Sequence, residues 1–478
     1  MIFNSIEFVL FFIFVTIAYF ILPYRFRWFL LLAASCYFYM AFVPVYILIL
    51  GFTIVIDYFA GIFIENEQGK KRKLYLVMSL VANIGVLAVF KYYNFLNDNL
   101  TLLLGSFNTS NPVPYLKILL PIGLSFHTFQ AMSYTIEVYR GNQKAERNFG
   151  IYSLYVMFYP QLVAGPIERP QNLLHQFREK FDFNYNRVVE GLQQMLWGFF
   201  KKLVVADRLE LYVNAAYNNP QQQSGTTLVL ATIFFAFQIY CDFSGYSNIA
   251  IGAAKVMGFD LMTNFKRPYF STNISEFWKR WHISLSTWFK DYLYISLGGN
   301  RVSIPRWYFN LFIVFFISGL WHGANWTYII WGSLNGIYLV FAIISQGARD
   351  KVNHVLGIEK LPRLNHFFQI LITFALTCFA WVFFRANNVA DSFLIIQKMF
   401  TDRGALLFDK ADPSSFIFSF LGIFMLLAIE AKHEYYKGSF SFFHNRHWLV
   451  RNLSYAVLII IILLIGVFDG GQFIYFQF

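Results

Sequence analysis

The residues best suited to chemistry in this sequence are two of its nine histidines, each directly after a tryptophan. His322 follows Trp321 between two long apolar stretches, and Gly323 beside it is small enough to let a substrate approach the ring. A neutral imidazole can take the proton of an alcohol that attacks a carbonyl carbon, and an apolar setting keeps the ring neutral. The residues alone leave open whether His322 and His282 are catalytic or are hydrogen-bonded core residues.

Three further segments set polar side chains in apolar sequence. They are Pro121–Gln130 with His127 and Gln130, Tyr159–Pro170 with Gln161, and Tyr240–Asn248 with Asp242 and Ser244. Polar residues are costly within a bilayer, so a share in lining a substrate cavity is one hypothesis for each. Helix packing is the alternative for His127 and Gln130, and an ion pair fits Asp242 equally well. The prolines around Gln161 forbid a regular helix and favour a re-entrant loop at the mouth of a cavity.

Several common active-site signatures do not occur in the sequence. It has no Walker-type phosphate loop and no G-x-G-x-x-G, and the hydrolase elbow fails at Asp242, where glycine would be needed. The three cysteines, Cys36, Cys241 and Cys378, lie far apart among apolar residues, so we expect buried thiols rather than disulfides or a metal site.

The composition is that of a membrane protein. Apolar residues make up 57% of the chain and charged residues 13%, about half of the roughly 25% that soluble domains carry. The net charge of +12 is spread over short runs between apolar stretches. This distribution is typical of cytoplasmic loops and excludes a basic face for nucleic acid.

Apolar segments near the length that crosses a bilayer recur along the whole chain, and we expect about eleven or twelve spans. They are residues 6–22, 28–43, 45–64, 74–91, 118–138, 188–206, 227–250, 307–320, 326–345, 367–384, 414–431 and 449–468. Two more stretches, 150–165 and 274–297, are interrupted by polar, charged or Gly/Pro residues and are interpreted as re-entrant or interfacial helices. With the N-terminus outside, the basic loops all fall on the cytoplasmic side, as the positive-inside rule requires.

Four of these segments together resemble the membrane-bound O-acyltransferases. They are Pro160–Pro166, Tyr240–Asn248, Trp278–Trp288 and Gly319–Asn325. Within that family the likeness is to the bacterial branch that holds the alginate O-acetylation membrane subunit and its relatives in D-alanylation of teichoic acid and acetylation of peptidoglycan or cellulose. The resemblance runs over most of the chain. It implies an all-α, polytopic bundle of about eleven or twelve transmembrane helices around a central tunnel, with re-entrant helices, forming one domain over residues 1–478.

The resemblance also implies roles for individual residues. His322 matches the family's catalytic histidine, and His282 matches a second polar position. Candidate donors to the tetrahedral oxyanion are His282, Asn325 and a tryptophan N–H. Residues expected to support or line the tunnel are Asn325, Trp321, Asp242, Ser244, His127, Gln130 and Gln161.

An acyltransferase of this kind needs no tightly bound cofactor and no metal, because the acyl thioester itself enters as a substrate. The expected donor is acetyl-CoA or an acyl carrier protein, and the expected acceptor is a hydroxyl of an exported or cell-surface polysaccharide. A periplasmic acetyltransferase-like protein is the expected partner, with membrane lipid around the helices of a bacterial inner-membrane enzyme. D-alanyl transfer to teichoic acid from a carrier protein is an alternative, and a non-enzymatic transporter or export subunit is another.

Overall fold

The computed structural model describes residues 1–116, 121–163, 165–406, 413–436, 445, 447–468 and 473–474. The first residues of the predicted span 118–138, and Ala164 in the predicted re-entrant loop, lie outside the described residues. All regular secondary structure in the described part of the chain is helical, so the all-α prediction is confirmed.

Twenty α-helices run through the described residues in the following order. They are Ile6–Ile21 (α1), Tyr24–Met40 (α2), Tyr46–Asn66 (α3), Gly69–Ser106 (α4), Leu124–Arg140 (α5), Phe149–Met157 (α6), Tyr159–Leu162 (α7), Pro170–Leu173 (α8), Tyr185–Phe199 (α9), Asp207–Tyr217 (α10), Gly225–Met257 (α11), Ile274–Arg280 (α12), Ile283–Phe289 (α13), Ile304–His322 (α14), Trp326–Ile344 (α15), Gln346–Val355 (α16), Pro362–Arg385 (α17), Val389–Thr401 (α18), Pro413–Tyr435 (α19) and Trp448–Ile465 (α20). Short 3₁₀ turns are His175–Arg178, Pro220–Gln222, Pro268–Phe270 and Ile358–Lys360, and π-helical turns are Phe200–Ala206 and Lys290–Tyr294.

Each of the predicted spans coincides with one of these helices. Eight helices of the described chain are long and apolar enough to cross a membrane: α3, α4, α11, α14, α15, α17, α19 and α20. The other predicted spans fall on α1, α2, α5 and α9, which have 15 to 17 residues. The molecule is therefore a multi-pass membrane protein, and the exact number of spans stays a prediction.

The helices α4 and α5 differ from the sequence prediction for physical reasons. Helix α4 has 38 residues, about 57 Å at about 1.5 Å per residue, and continues to Ser106, beyond the predicted end of its span at residue 91. No proline interrupts that stretch and its first glycine after Gly85 is Gly105, so nothing in the sequence ends the helix earlier. Helix α5 begins only at Leu124, because Gly123 before it has a left-handed conformation with φ of 76°.

The two interrupted stretches form helices that are too short to cross a bilayer. In 150–165 they are α6, with nine residues, and α7, with four. In 274–297, α12 and α13 have seven residues each, roughly 10 Å of helix against a hydrocarbon core of about 30 Å. These lengths agree with the expectation that the stretches do not cross fully, and both that expectation and the re-entrant placement stay predictions.

The chain divides into two compact units. The first unit holds residues 1–195 and 246–262, and the second holds residues 196–245 and 263–478. The assignment of residues 1–478 to one domain stays a prediction.

In the first unit, helices α3, α4 and α5 meet at the fully buried Asp57. Its carboxylate accepts hydrogen bonds from Ser79 at 2.6 Å and Asn83 at 2.9 Å.

In the second unit, α14 and α15 form an antiparallel hairpin held by close glycine contacts. A Cβ added at Gly319 would lie 2.4 Å from the carbonyl oxygen of Tyr328 and 3.1 Å from the Cα of Gly332. One added at Gly332 would lie 2.4 Å from the Phe315 carbonyl oxygen. Small residues allow the two backbones to approach where larger side chains would force them apart. This hairpin carries the Trp321-His322 pair.

Candidate active site

His322 is the last residue of α14, at the turn of the glycine hairpin. The helix ends there because Gly323 is extended, and Asn325 begins α15 two residues later by accepting a hydrogen bond from Thr327 N at 3.0 Å. The imidazole is 4% exposed and thus buried at the end of a helix. Helix C-termini carry partial negative charge, so this position stabilises the imidazolium that forms when the ring takes a proton.

The small residues around His322 serve helix packing rather than substrate access. A Cβ at Gly323 would lie 2.1 Å from the ring of Tyr328, so that ring covers the glycine. The backbone of α15 occupies the space beside Gly319. Aromatic and backbone atoms thus occupy the space beside these glycines, and close approach of a substrate to His322 stays a prediction.

A backbone carbonyl fixes the protonation pattern of the neutral His322 ring. Nδ1 lies 2.7 Å from the carbonyl oxygen of Ser318, one turn earlier in α14. A carbonyl oxygen can only accept, so Nδ1 carries the proton and donates it. In the neutral ring Nε2 then carries the lone pair, which is the arrangement that a general base requires.

Aromatic rings surround the His322 imidazole. Trp331 of α15 lies edge-on at 4.7 Å between ring centres, Trp321 at 4.9 Å and Phe384 of α17 at 5.6 Å. Trp331 is in turn stacked on Trp381 of α17, with centres 5.7 Å apart and planes inclined by 15°. The imidazole is thus held by three helices through rigid rings.

His282 lies between α12 and α13, in a conformation that non-glycine residues seldom adopt. Its φ is 43° and its ψ 55°, and its side chain is fully buried. The surrounding backbone is held by Ile283 N donating to Asn264 O and Lys266 N donating to Arg280 O, both at 2.8 Å. Left-handed residues that are held in place this firmly cluster at functional sites.

The His282 ring is packed between an aromatic surface and an amide. Phe243 of α11 lies edge-on with its centre at 4.5 Å, and Nδ1 of His282 lies 3.1 Å from Oδ1 of Asn264. Burial holds the pKa of His282 well below its usual range, and the charge of His322 lowers it further. His282 is therefore neutral at physiological pH.

A continuous layer of tryptophans connects the two histidine segments. Trp281, directly before His282, lies 5.2 Å from Trp381, which stacks on Trp331 against His322. Trp278 of α12 also donates its Nε1 proton to Asn335 of α15 at 3.2 Å. The structure thus brings His282 and His322, 40 positions apart in sequence, into one buried aromatic cluster of the second unit.

Asp242 takes part in a buried ion-pair network. Lys202 lies 2.6 Å from Asp242 and 2.7 Å from Asp207, and all three side chains are almost fully buried. The second oxygen of Asp242 accepts a hydrogen bond from Ile474 N at 2.7 Å. Of the two roles that the sequence left open, the structure shows the ion pair. Ser244, fully buried, is two residues further along α11, where a helical side chain faces away from Asp242.

The predicted residues His127, Gln130 and Gln161 all lie in the first unit and are buried. Gln130 and Gln161 both donate to the carbonyl oxygen of Tyr155, at 2.5 Å and 2.9 Å. These bonds join α5 and α7 to α6, so the two glutamines stabilise the short interrupted helices. The ring of His127 lies edge-on to Tyr39 with centres 6.0 Å apart.

Asn325 and Trp321 have structural contacts in the second unit. Asn325 caps α15 with its oxygen, and its Nδ2 lies 3.4 Å from the carbonyl oxygen of Asn387. Trp321 packs its buried ring against His322. Roles of these residues toward a substrate stay predictions.

Several residues of the site were not predicted from the sequence: Asn264, Trp331 and Trp381 beside the histidines, and Lys202 in the ion-pair network. Lys202 was detectable, because a lysine inside the predicted span 188–206 is costly and calls for a partner. Trp331 lies in the first two turns of α15 and Trp381 in the last two turns of α17, where tryptophan is common in membrane helices, so neither stands out in the sequence. Asn264 lies in a polar loop and carries no signal of its own.

Known proteins resemble the chain over most of its length. The model of the membrane-bound O-acyltransferase family, MBOAT, matches residues 143–384. A Pseudomonas aeruginosa protein named "Probable alginate O-acetylase AlgI" is 39% identical over 404 residues, 84% of this chain and 75% of that protein. A Helicobacter pylori peptidoglycan O-acetyltransferase is 36% identical, with 77% of this chain and 73% of the relative covered. A teichoic acid D-alanyltransferase of Streptococcus thermophilus is 27% identical, with 59% and 69% covered.

Fold and site together define a helical multi-pass membrane protein with a buried histidine cluster. The chain belongs to the membrane-bound O-acyltransferase family. It is an acyltransferase, as the resemblance in the sequence implied.

Proposed function

We propose that the chain moves an acetyl group from a cytoplasmic thioester to a hydroxyl of an exported or cell-surface polysaccharide, with His322 as the general base. The observation that carries this proposal is the Nδ1 proton of His322, donated to the Ser318 carbonyl at 2.7 Å. This bond makes Nε2 the basic nitrogen of a buried neutral ring.

The reaction follows from that arrangement. Nε2 of His322 takes the proton of the acceptor hydroxyl, and the oxygen of that hydroxyl attacks the thioester carbonyl carbon at the same time. The tetrahedral intermediate collapses with cleavage of the C–S bond, and the imidazolium returns its proton to the leaving thiolate. A base in this position typically accounts for about 10²- to 10⁴-fold of the rate.

The donor we propose is acetyl-CoA or an acetylated phosphopantetheine carrier. Both carry phosphate, and the basic loops of the chain, with a net charge of +12 overall, provide a surface that attracts an anionic donor. The donor enters as a substrate, so the proposal includes no tightly bound cofactor.

Two of the three relatives described support acetyl as the transferred group. They are named for O-acetylation and are 39% and 36% identical to this chain, whereas the relative named for D-alanylation is 27% identical. We therefore place an alginate-type exopolysaccharide or another cell-surface glycan first as the acceptor. D-alanyl transfer to teichoic acid is the second candidate.

The proposed location is the bacterial inner membrane, with the donor on the cytoplasmic side. The acceptor polysaccharide lies outside, so the acetyl group must cross the membrane, directly through this protein or through a periplasmic acetyltransferase-like partner. The export-subunit alternative loses its basis, because the chain belongs to an acyltransferase family.

The test is a donor panel with the purified protein in lipid nanodiscs. Acetyl-CoA, an acetylated carrier protein and a D-alanylated carrier protein are each supplied, and release of free thiol is followed with and without polysaccharide. We expect cleavage of an acetyl thioester and gain of O-acetyl ester on the glycan fraction. Cleavage of the D-alanyl carrier alone would contradict the acetyl assignment, and cleavage of none of the three would contradict the proposed function.

A further inference from the structure

Asn264 lies against the ring of His282 in the second unit. It is fully buried in the loop after α11, 18 positions before His282. Its Oδ1 lies 3.1 Å from His282 Nδ1, 3.3 Å from Ser284 N and 2.9 Å from Ser284 Oγ. Its carbonyl oxygen also accepts from Ile283 N at 2.8 Å. One asparagine thus holds the residues on both sides of the left-handed turn.

The backbone of Ser284 determines which way the Asn264 amide points. An asparagine side chain presents an acceptor oxygen on one side and a donor nitrogen on the other, so a partner that can only donate identifies the atom that faces it. The backbone N–H of Ser284 can only donate, so the Asn264 atom that faces it must be the oxygen. The same atom faces Nδ1 of His282.

The protonation pattern of His282 follows from that orientation. Because the Asn264 oxygen can only accept, Nδ1 of His282 carries a proton and donates it. In the neutral ring Nε2 then carries the lone pair. It can accept a proton or a hydrogen bond there, but it cannot donate one.

We infer that Asn264 is a positioning residue that fixes His282 in the Nδ1-protonated tautomer, so that His282 acts as an acceptor at Nε2 and not as the donor to the oxyanion. This inference rests on the proposed function, because the acyl transfer that His282 would assist is itself part of that proposal. It revises the expectation that the neutral ring of His282 supplies an oxyanion hydrogen bond. Both histidines of the cluster then present Nε2 as the basic nitrogen.

Burial, the charge of His322 and the backbone of His282 itself all act on the pKa of His282. The rings against it are Phe243 from α11 and Phe265 from the loop, with centres at 4.5 Å and 6.2 Å. The titratable group whose charge acts on it is His322 of α14. A carboxylate at position 264 would add a negative charge 3.1 Å from Nδ1 and so raise the pKa of His282.

Asn264→Asp and Asn264→Ala test the inference through kcat and KM of thioester cleavage, measured at a pH high enough to keep His282 neutral. Asp keeps an oxygen that accepts from Nδ1, so the tautomer is retained and kcat stays within about threefold of the wild type. Ala removes the oxygen and no longer fixes the tautomer, so kcat falls by about tenfold or more, with KM changed by less than about threefold.

Asn310 provides the matched control. It is equally buried in the second unit, and its Nδ2 donates to the carbonyls of Leu297 and Gly299 at 3.1 Å and 3.0 Å. Asn310→Ala loses a comparable buried amide, and we expect its kcat to stay within about threefold of the wild type. All variants are compared at equal folded fraction, measured by gel filtration in detergent.

The outcomes separate the inference from the proposed function. If the wild-type protein cleaves no thioester, the proposed function fails. If the wild-type protein is active but Asn264→Asp loses as much kcat as Asn264→Ala, or Asn264→Ala keeps the wild-type kcat, the positioning role of Asn264 is wrong.

Discussion

The imidazole of His322 meets the indole of Trp331 edge to face, with their ring centres 4.7 Å apart. His322 ends α14 and Trp331 lies in α15, so the position of the candidate base depends on how closely these two helices pack. A change in the spacing of the hairpin must therefore change the setting of His322.

The glycine contact of the hairpin gives the first prediction. In Gly319→Ala the new Cβ would lie 2.4 Å from the carbonyl oxygen of Tyr328, and backbone cannot yield as a side-chain tip can. We expect α15 to be displaced, with a lower melting temperature in detergent and a loss of activity of about tenfold or more. Gly85→Ala in α4 is the control, because nothing lies within 4 Å of its Cβ. A Gly319→Ala protein with wild-type stability and activity would contradict the close-packing account.

The helix cap at Asn325 gives a second prediction, which distinguishes a structural role of this residue from a role in the reaction. Asn325→Asp keeps the oxygen that accepts from Thr327 N but has no amide N–H to donate. If the residue acts as a helix cap, Asn325→Asp stays close to wild type, while Asn325→Ala loses about 1 kcal/mol of stability. Thermal unfolding and thioester cleavage are measured on both. Loss of activity in Asn325→Asp at full stability would instead make Asn325 an oxyanion donor.

The buried network around Lys202 predicts a pH dependence of stability. Burial raises the pKa of Asp207 to about 7, although Lys202 opposes the shift. Between about pH 4 and about pH 7 the folded protein therefore binds a proton that the unfolded chain has released, so this contribution to stability falls as pH rises. Asp207→Asn removes the contribution, and we expect a flatter curve of melting temperature against pH.

An exposed aspartate supplies the comparison for Asp207. The side chain of Asp182 is 74% exposed, and Asp182→Asn should leave the pH curve as it is in the wild type. The account of the Lys202 network is wrong if Asp207→Asn and the wild type show the same slope over this range.

The membrane-spanning helices were predictable from the sequence because the bilayer imposes a length on apolar segments that local composition reveals. The ends of α4 and α5 were harder to place. The polar residues after residue 91 suggested that the span ends there, although nothing interrupts the helix before Ser106. Gly123 delays the start of α5 through its backbone conformation, which only the structure shows.

The candidate site was predictable only where a polar residue stands out in apolar sequence. His322 and Asp242 stand out in this way, since each is costly in a membrane. The contacts that give them their setting are not local. Lys202 and Asp242 are 40 positions apart, and Asn264 reaches His282 only because of the left-handed turn at His282. No periodicity in the sequence encodes such pairings.

His322 is the proposed base of acyl transfer. This role can be measured by thioester cleavage with purified His322→Gln protein, compared with His175→Gln, which changes an exposed histidine of the first unit. Glutamine keeps a polar side chain of similar size but cannot take a proton at neutral pH. We predict that His322→Gln folds as the wild type does and loses about 10²-fold or more of its rate, while His175→Gln retains full activity. A folded His322→Gln protein that cleaves the thioester at the wild-type rate would contradict the account.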